Sequence, residues 1–196
     1  MASPVSADLV RPASPRLARV FDAALVAGFS LLIALSAQVA IPLPFTPVPV
    51  TLQTFAILLT GCLLGSGRGG LAAAAYVAEG SLGLPFFSGG TAGIAHLLGP
   101  TGGYLVGCVA AAFVAGLLAE RGRAARPAGL LLTLCAADLV VYIPGLAQLS
   151  IFTGAGKAVA LGFLPFLIGD ALKIIGAWSI LMASTLITSR IRERAA

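Results

Sequence analysis

The sequence predicts an all-helical integral membrane protein of six transmembrane helices, with both ends of the chain on the cytoplasmic side. Three observations carry that expectation. Of 196 residues, 59% are hydrophobic and only 10% are charged, with a mean hydropathy of +1.04. Soluble domains carry about 25% charge, so this chain cannot cover itself with a solvated surface, and its apolar content excludes disorder. Spanning helices need about 20 apolar residues each, so the length admits roughly five to seven of them and leaves no room for a soluble catalytic domain. Finally, the ten arginines (11, 16, 19, 68, 121, 123, 126, 190, 192 and 194) occupy four places in the chain. Six spans put all four on one side, which the positive-inside rule makes cytoplasmic. Seven spans would divide them. The net charge of +5 thus reflects topology and calls for no nucleic-acid partner.

The elements follow in order. Residues 1–19 are polar and proline-containing and read as a flexible cytoplasmic tail; 20–190 form a single six-helix membrane domain; 191–196 are a second cytoplasmic tail. The apolar run 20–41 is too long for a signal-peptide core and reads as the first helix. Pro42, Pro44, Pro47 and Pro49 end it, since proline lacks an amide donor and restricts its predecessor. Further apolar runs cover about 51–66, 69–88, 100–119, 128–148 and 162–189. Gly65, Gly67, Gly69 and Gly70 mark a tight turn around Arg68. Residues 80–93 are a glycine-rich loop, 121–127 a charged break, and 150–161 a loop with room for a short surface helix.

Ionisable side chains at depth cost a few kcal/mol or more, so the informative charges are those away from the arginines. Asp170 and Lys173 stand out. If the last helix starts near Pro165, Asp170 lies about 8 Å along the axis at 1.5 Å per residue, and Lys173, at i+3, shares its face. They read either as a self-satisfied pair that locks helix packing or as a polar clamp for a small, partly polar ligand. A dry buried pair rarely repays its desolvation, which favours the clamp. Thr46, Thr51, Gln53 and Thr54 lie in and beside a stiff, proline-rich first loop on the same side. Thr101 is placed to cap the helix opened by GPTGGY, where glycines let a ligand approach backbone amides closely. Tyr104 and Tyr76 read as pocket residues or as interface aromatics. Glu79 reads as a rim residue, with pairing to Lys157 and a place in the pocket as the rivals. Asp138, mid-helix with Tyr142 one turn away, reads as hydrogen-bonded within the bundle. Asp22 and Glu120 read as solvated partners of nearby arginines, and His96 as a loop residue. Small residues at four-residue spacing, such as Ala23 and Ala27, allow close helix approach, inside the bundle or against an external helix.

No cofactor or metal is expected. Cys62, Cys108 and Cys135 lack zinc-ligand or disulfide spacing and read as small packing residues. Gly154-Ala155-Gly156-Lys157 lacks the first glycine and the hydroxyl residue of a phosphate loop. No serine has a base at hand. The chain is expected not to be an enzyme.

FTPVPVTLQTF, GSLGLPFF, GPTGGYL and the GDALK of the last helix occur in an order and spacing that resemble the BioY family, from about residue 20 to 190. These are the biotin-binding membrane subunits, or S components, of energy-coupling factor transporters. The resemblance implies a six-helix S-component fold in the cell membrane and biotin capture from the outer side. It places Asp170 and Lys173 at the ligand, and Thr46, Thr51, Gln53 and Tyr104 at pocket or lid positions. For a polar position that some relatives use in the loop between the third and fourth helices, this sequence offers only Ser88 and Thr91. It further implies that Ala23 and Ala27 dock a transmembrane coupling protein that carries the ATPases, so that only partner subunits use ATP. An S component for another vitamin and a self-sufficient biotin carrier are the rival functions.

Overall fold

A computed structural model describes residues 6–195. It is helical almost throughout, with five helices long and apolar enough to cross a membrane. In chain order the elements are α1 (Pro15–Gln38), the two-residue strands β1 (Ala40–Ile41) and β2 (Val50–Thr51), α2 (Gln53–Ser81), α3 (Ile94–Leu97), α4 (Gly102–Glu120), α5 (Pro127–Thr153), α6 (Ala155–Gly162) and α7 (Leu167–Ala195).

Helix α1 begins at Pro15, a residue suited to a first turn, and so starts one turn before the run read from the sequence. The antiparallel pairing of Ala40 with Thr51 and Ile41 with Val50 closes the proline-rich loop between α1 and α2. The loop therefore stands as a short hairpin fixed at both ends.

Helix α2 is not straight. Gly65 sits at φ 84°, ψ 176°, inside what is otherwise continuous helix. Residues 61 and 69 would lie about 12 Å apart along one straight helix. Instead, a Cβ built on Gly69 falls 3.0 Å from the Gly61 Cα. The chain therefore folds back at Gly65 into two side-by-side halves, and only glycine enters that backbone region without strain. Neighbours satisfy the amide and carbonyl freed at the break. The Glu120 carboxylate accepts from the Ser66 backbone N–H at 2.7 Å and from its hydroxyl at 2.8 Å. The Arg68 Nε donates to the Leu64 carbonyl at 3.1 Å. Glu120 thus caps the returning half rather than pairing with an arginine. Asp22 does pair with arginines, Arg11 at 2.6 Å and Arg68 at 3.0 Å, and Arg68 also holds Asp8 at 2.5 Å.

The α2 hairpin and α4 form the centre, with α5 against α4 and with α1 and α7 on the flanks. Close backbone approach is what brings α4 and α5 together: a Cβ on Gly107 would sit 2.8 Å from the Val141 Cα. One apolar cluster gathers Ile33, Ile57, Tyr76, Phe87 and Cys108; a second, nearer the arginine-rich end, gathers Leu58, Leu130, Leu134 and Ala177. Only 28% of the apolar stretch of α1 is buried, against 61% for α2, and Ala23 and Ala27 both face outward.

Candidate functional site

The site is built at the loop end of the bundle, opposite the arginines. A short 3-10 turn (Leu164–Phe166) precedes α7, so Asp170 falls in the first turn of that helix. Lys173 follows one turn on and donates to Asp170 Oδ1 at 2.9 Å and to Thr54 Oγ1 at 3.0 Å. The Tyr142 hydroxyl, from α5, donates to the other carboxylate oxygen, Oδ2. Asp170 is 4% exposed. Charge pairing and two hydrogen-bond donors offset the desolvation of that carboxylate.

The pair opens into a cavity walled by the first loop, α2, α4, α5 and α7. Val48, Leu105, Val141 and Phe166 give it apolar walls. Thr51, Gln53, Thr54, Ser88, His96, Thr101 and Tyr104 add polar atoms. Tyr104 and Tyr142 meet edge to face, with ring centroids 6.2 Å apart, and Phe163 meets Tyr142 likewise at 4.7 Å. The Tyr104 hydroxyl donates to the Gly162 carbonyl at 2.9 Å, tying α4 to the end of α6. Gln53 is 7% exposed and reaches the Cys108 sulfur at 3.5 Å. The Thr51 hydroxyl accepts from the Gln53 amide at 3.3 Å, at the start of α2.

The structure brings together Asp170, Lys173, Tyr104, Gln53, Thr51, Thr101 and Ser88 around one cavity. Thr46 and Thr91 lie elsewhere. Thr46 borders a second, outer space, where it accepts from the Val48 amide at 3.3 Å. Thr91 stands behind the cavity wall and donates to the Ser88 carbonyl at 2.9 Å. Two expectations need correction. Thr101 makes no side-chain cap; its hydroxyl lies 3.2 Å from His96 Nε2, while its carbonyl accepts from the Tyr104 and Leu105 amides. His96 is not a bystander, because it borders the cavity and stacks on the buried Phe87 ring. Burial lowers its pKa below the usual imidazole value.

Tyr142 and Phe166 also line the cavity, and the sequence pointed to neither as a site residue; Thr54, from the proline-rich segment, lines it too. Only the i, i+4 spacing of Asp138 and Tyr142 hinted at a polar face on α5. Tyr142 turns to Asp170, not to Asp138, which is buried one turn further into the bundle. Glu79 is occupied too: it accepts from Ser30 on α1 and does not pair with Lys157. Among the described residues there is no grouping of three or more His, Cys, Asp or Glu side chains able to hold a metal ion.

The model of the BioY family matches residues 10–190. The chain is similar to the probable biotin transporter BioY of Pyrococcus horikoshii, with 41% identity over 152 residues, which cover 78% of this chain and 88% of that protein. It is likewise similar to the biotin transporter BioY of Thermotoga maritima, with 41% identity over 150 residues, covering 76% and 86%. The BioY of Rhodobacter capsulatus is 37% identical over 159 residues, covering 74% and 83%. Among solved structures, the S component for biotin from an ECF-type ABC transporter superposes with a TM-score of 0.76 at 27% identity, covering 87% of this chain and 93% of that one.

Proposed function

This chain belongs to the BioY family, and from that premise we propose that it serves biotin uptake as a substrate-binding membrane subunit, capturing biotin on the outer side of the cell membrane. The observation that carries the reading is the Asp170–Lys173 pair, buried and hydrogen-bonded, yet opening into a walled cavity. Biotin joins a flat ureido group, an apolar thiophane and chain, and a carboxylate. Asp170 suits the ureido N–H groups as an acceptor, and Lys173 suits a ligand oxygen as a donor. The aromatic and aliphatic walls suit the thiophane.

The fold-back at Gly65 supports a count of six membrane-crossing helices, with the two halves of α2 taken separately. Both halves fall short of the ~20 residues a lipid-exposed span needs; they lie in the protein interior, where short or broken segments are tolerated. Six crossings put both termini on the arginine-rich, cytoplasmic side. A transmembrane coupling protein and its ATPases would supply the energy, docking at the outward-facing Ala23 and Ala27; the chain itself works without cofactor or catalysis.

Titration of the purified protein with biotin tests the reading. Asp170→Asn and Lys173→Ala should each weaken binding by about 10- to 100-fold, as loss of hydrogen bonds to charged groups does. Wild-type affinity in both variants would place the site elsewhere.

A further inference from the structure

His96 stands in the wall between two cavities. The inner one holds Asp170 and Lys173. The outer one, about 1050 Å³ with its open mouth included, lies between the proline-rich loop and the α3–α4 turn. Pro49, Ser88, His96 and Thr101 border both. The imidazole is held firmly in this wall. Thr91 Oγ1 lies 3.3 Å from Nδ1 and Thr101 Oγ1 lies 3.2 Å from Nε2. The ring stacks on Phe87 with centroids 5.1 Å apart and planes at 23°.

The two cavities differ in charge. The inner one already contains a carboxylate, and its single cation is committed to that carboxylate and to Thr54. A second carboxylate there would face Asp170 across an apolar chamber, where like charges repel strongly. Among the described lining residues of the outer cavity there is no acid, and His96 is the only titratable group. An anion held there would remain close to water.

We propose that Ser88 and Thr101, backed by His96, form a second station that takes the ligand carboxylate, leaving the uncharged ring system to Asp170 and Lys173; Thr91 Oγ1 accepts from Nδ1, and once Nε2 is protonated it donates to Thr101 Oγ1 and frees that hydroxyl to donate to the carboxylate. This inference rests on the biotin reading and fixes the direction in which the ligand lies. The groups in contact with the imidazole are the hydroxyls of Thr91 and Thr101 and the Phe87 ring, Ser88 lines the same two cavities, and the charges on the cavity walls are Asp170 and Lys173. Because an anion at this place favours the imidazolium, binding should draw a proton onto His96 while the ligand stays a carboxylate, and affinity should rise as pH falls from about 8 to 6.

The test compares biotin with biotin methyl ester on the full-length protein at pH 6 and pH 8, in wild type, His96→Gln, His96→Ala and Lys173→Ala. The readout is the ratio of the two affinities within each variant, so any general weakening cancels. Wild type should prefer biotin by about tenfold at pH 6 and by less at pH 8, one charge-assisted hydrogen bond being worth that much. His96→Ala should abolish the preference, and His96→Gln should remove its pH dependence. If the ratio in His96→Ala equals that of wild type, or if Lys173→Ala abolishes it instead, the carboxylate lies inside and the proposal falls, while biotin binding stands. If wild type binds neither compound, the biotin reading itself fails, and this proposal with it.

Discussion

Two donors from different helices converge on the Asp170 carboxylate, Tyr142 from α5 and Lys173 one turn along α7. Tyr142 therefore does more than wall the cavity: it holds one carboxylate oxygen in place. Tyr142→Phe keeps the ring and its edge-to-face contacts but removes that donor. The carboxylate then lacks one partner in a buried position, which costs about 1–3 kcal/mol. We expect biotin affinity to fall about tenfold and the thermal midpoint to drop by a few degrees; calorimetric titration and a melting curve measure both, and unaltered affinity would make Tyr142 a packing residue only. This residue also shows what a sequence exposes. Asp170 and Lys173 were legible because a charge in an apolar run has few innocent explanations. A tyrosine in such a run has many, and its partner lies 28 positions away in the chain. His96 was illegible for a related reason: its role comes from the cavities on either side of it, which the chain order does not reveal. Thr46 and Thr91 mark the converse. The resemblance put both with the inner pocket residues, whereas Thr46 lines the outer cavity and Thr91 reaches it through His96.

Among the helices, glycine decides which backbones touch. Gly107 of α4 faces the Val141 backbone of α5, where an added Cβ would lie 2.8 Å from Cα. Backbone cannot yield as a flexible side chain does, so Gly107→Ala must push α4 and α5 apart. Overpacking of this kind costs about 1–3 kcal/mol, and α5 carries Tyr142. Gly28 of α1 has nothing within 4 Å of the same built atom. Gly28→Ala should leave the melting temperature of the detergent-solubilised protein unchanged or slightly raised, alanine being the better helix former. Gly107→Ala should lower both melting temperature and biotin affinity; equal behaviour of the two variants would show that the α4–α5 approach is not tight. The sequence displayed these glycines without ranking them. It also located the reversal in α2 only to within a few residues, because Gly65, Gly67, Gly69 and Gly70 are equivalent on paper. The structure uses a single residue, Gly65, and helix resumes at once. The short helix α6 was foreseen as an option in the 150–161 loop, and its job, receiving the Tyr104 hydroxyl at Gly162, was not.

At the scale of the whole molecule, the cavity and the exposed small-residue strip of α1 occupy different parts of the bundle. The inner cavity is lined from the first loop, α2, α4, α5 and α7, with Ser88 and His96 from the segment between α2 and α4. Helix α1 contributes no lining residue to it. That helix packs mainly on α2, and its end reaches only the outer space, where the Gln38 side chain ties down the Phe86 and Phe87 carbonyls and the Gly90 amide. Meanwhile Ala23, Ala27 and Gly28 leave a smooth strip open toward lipid, beside the exposed Val20, Leu31 and Leu35. Without a hydrophobic drive between helices in lipid, close contact along such small-residue strips is what associates them. Leucines on the strip would hold a partner helix off by the length of a side chain while touching nothing inside the bundle. The double variant Ala23→Leu, Ala27→Leu should therefore bind biotin with wild-type affinity and melt within a few degrees of wild type. Co-expressed with the coupling protein and ATPases, it should lose co-purification with them, and ATP-driven biotin uptake should fall by tenfold or more. Loss of biotin affinity in the double variant would mean that α1 supports the site after all. Undiminished assembly would move the docking surface to another face of the bundle, with the exposed side of α7 the next to be tested by the same substitution.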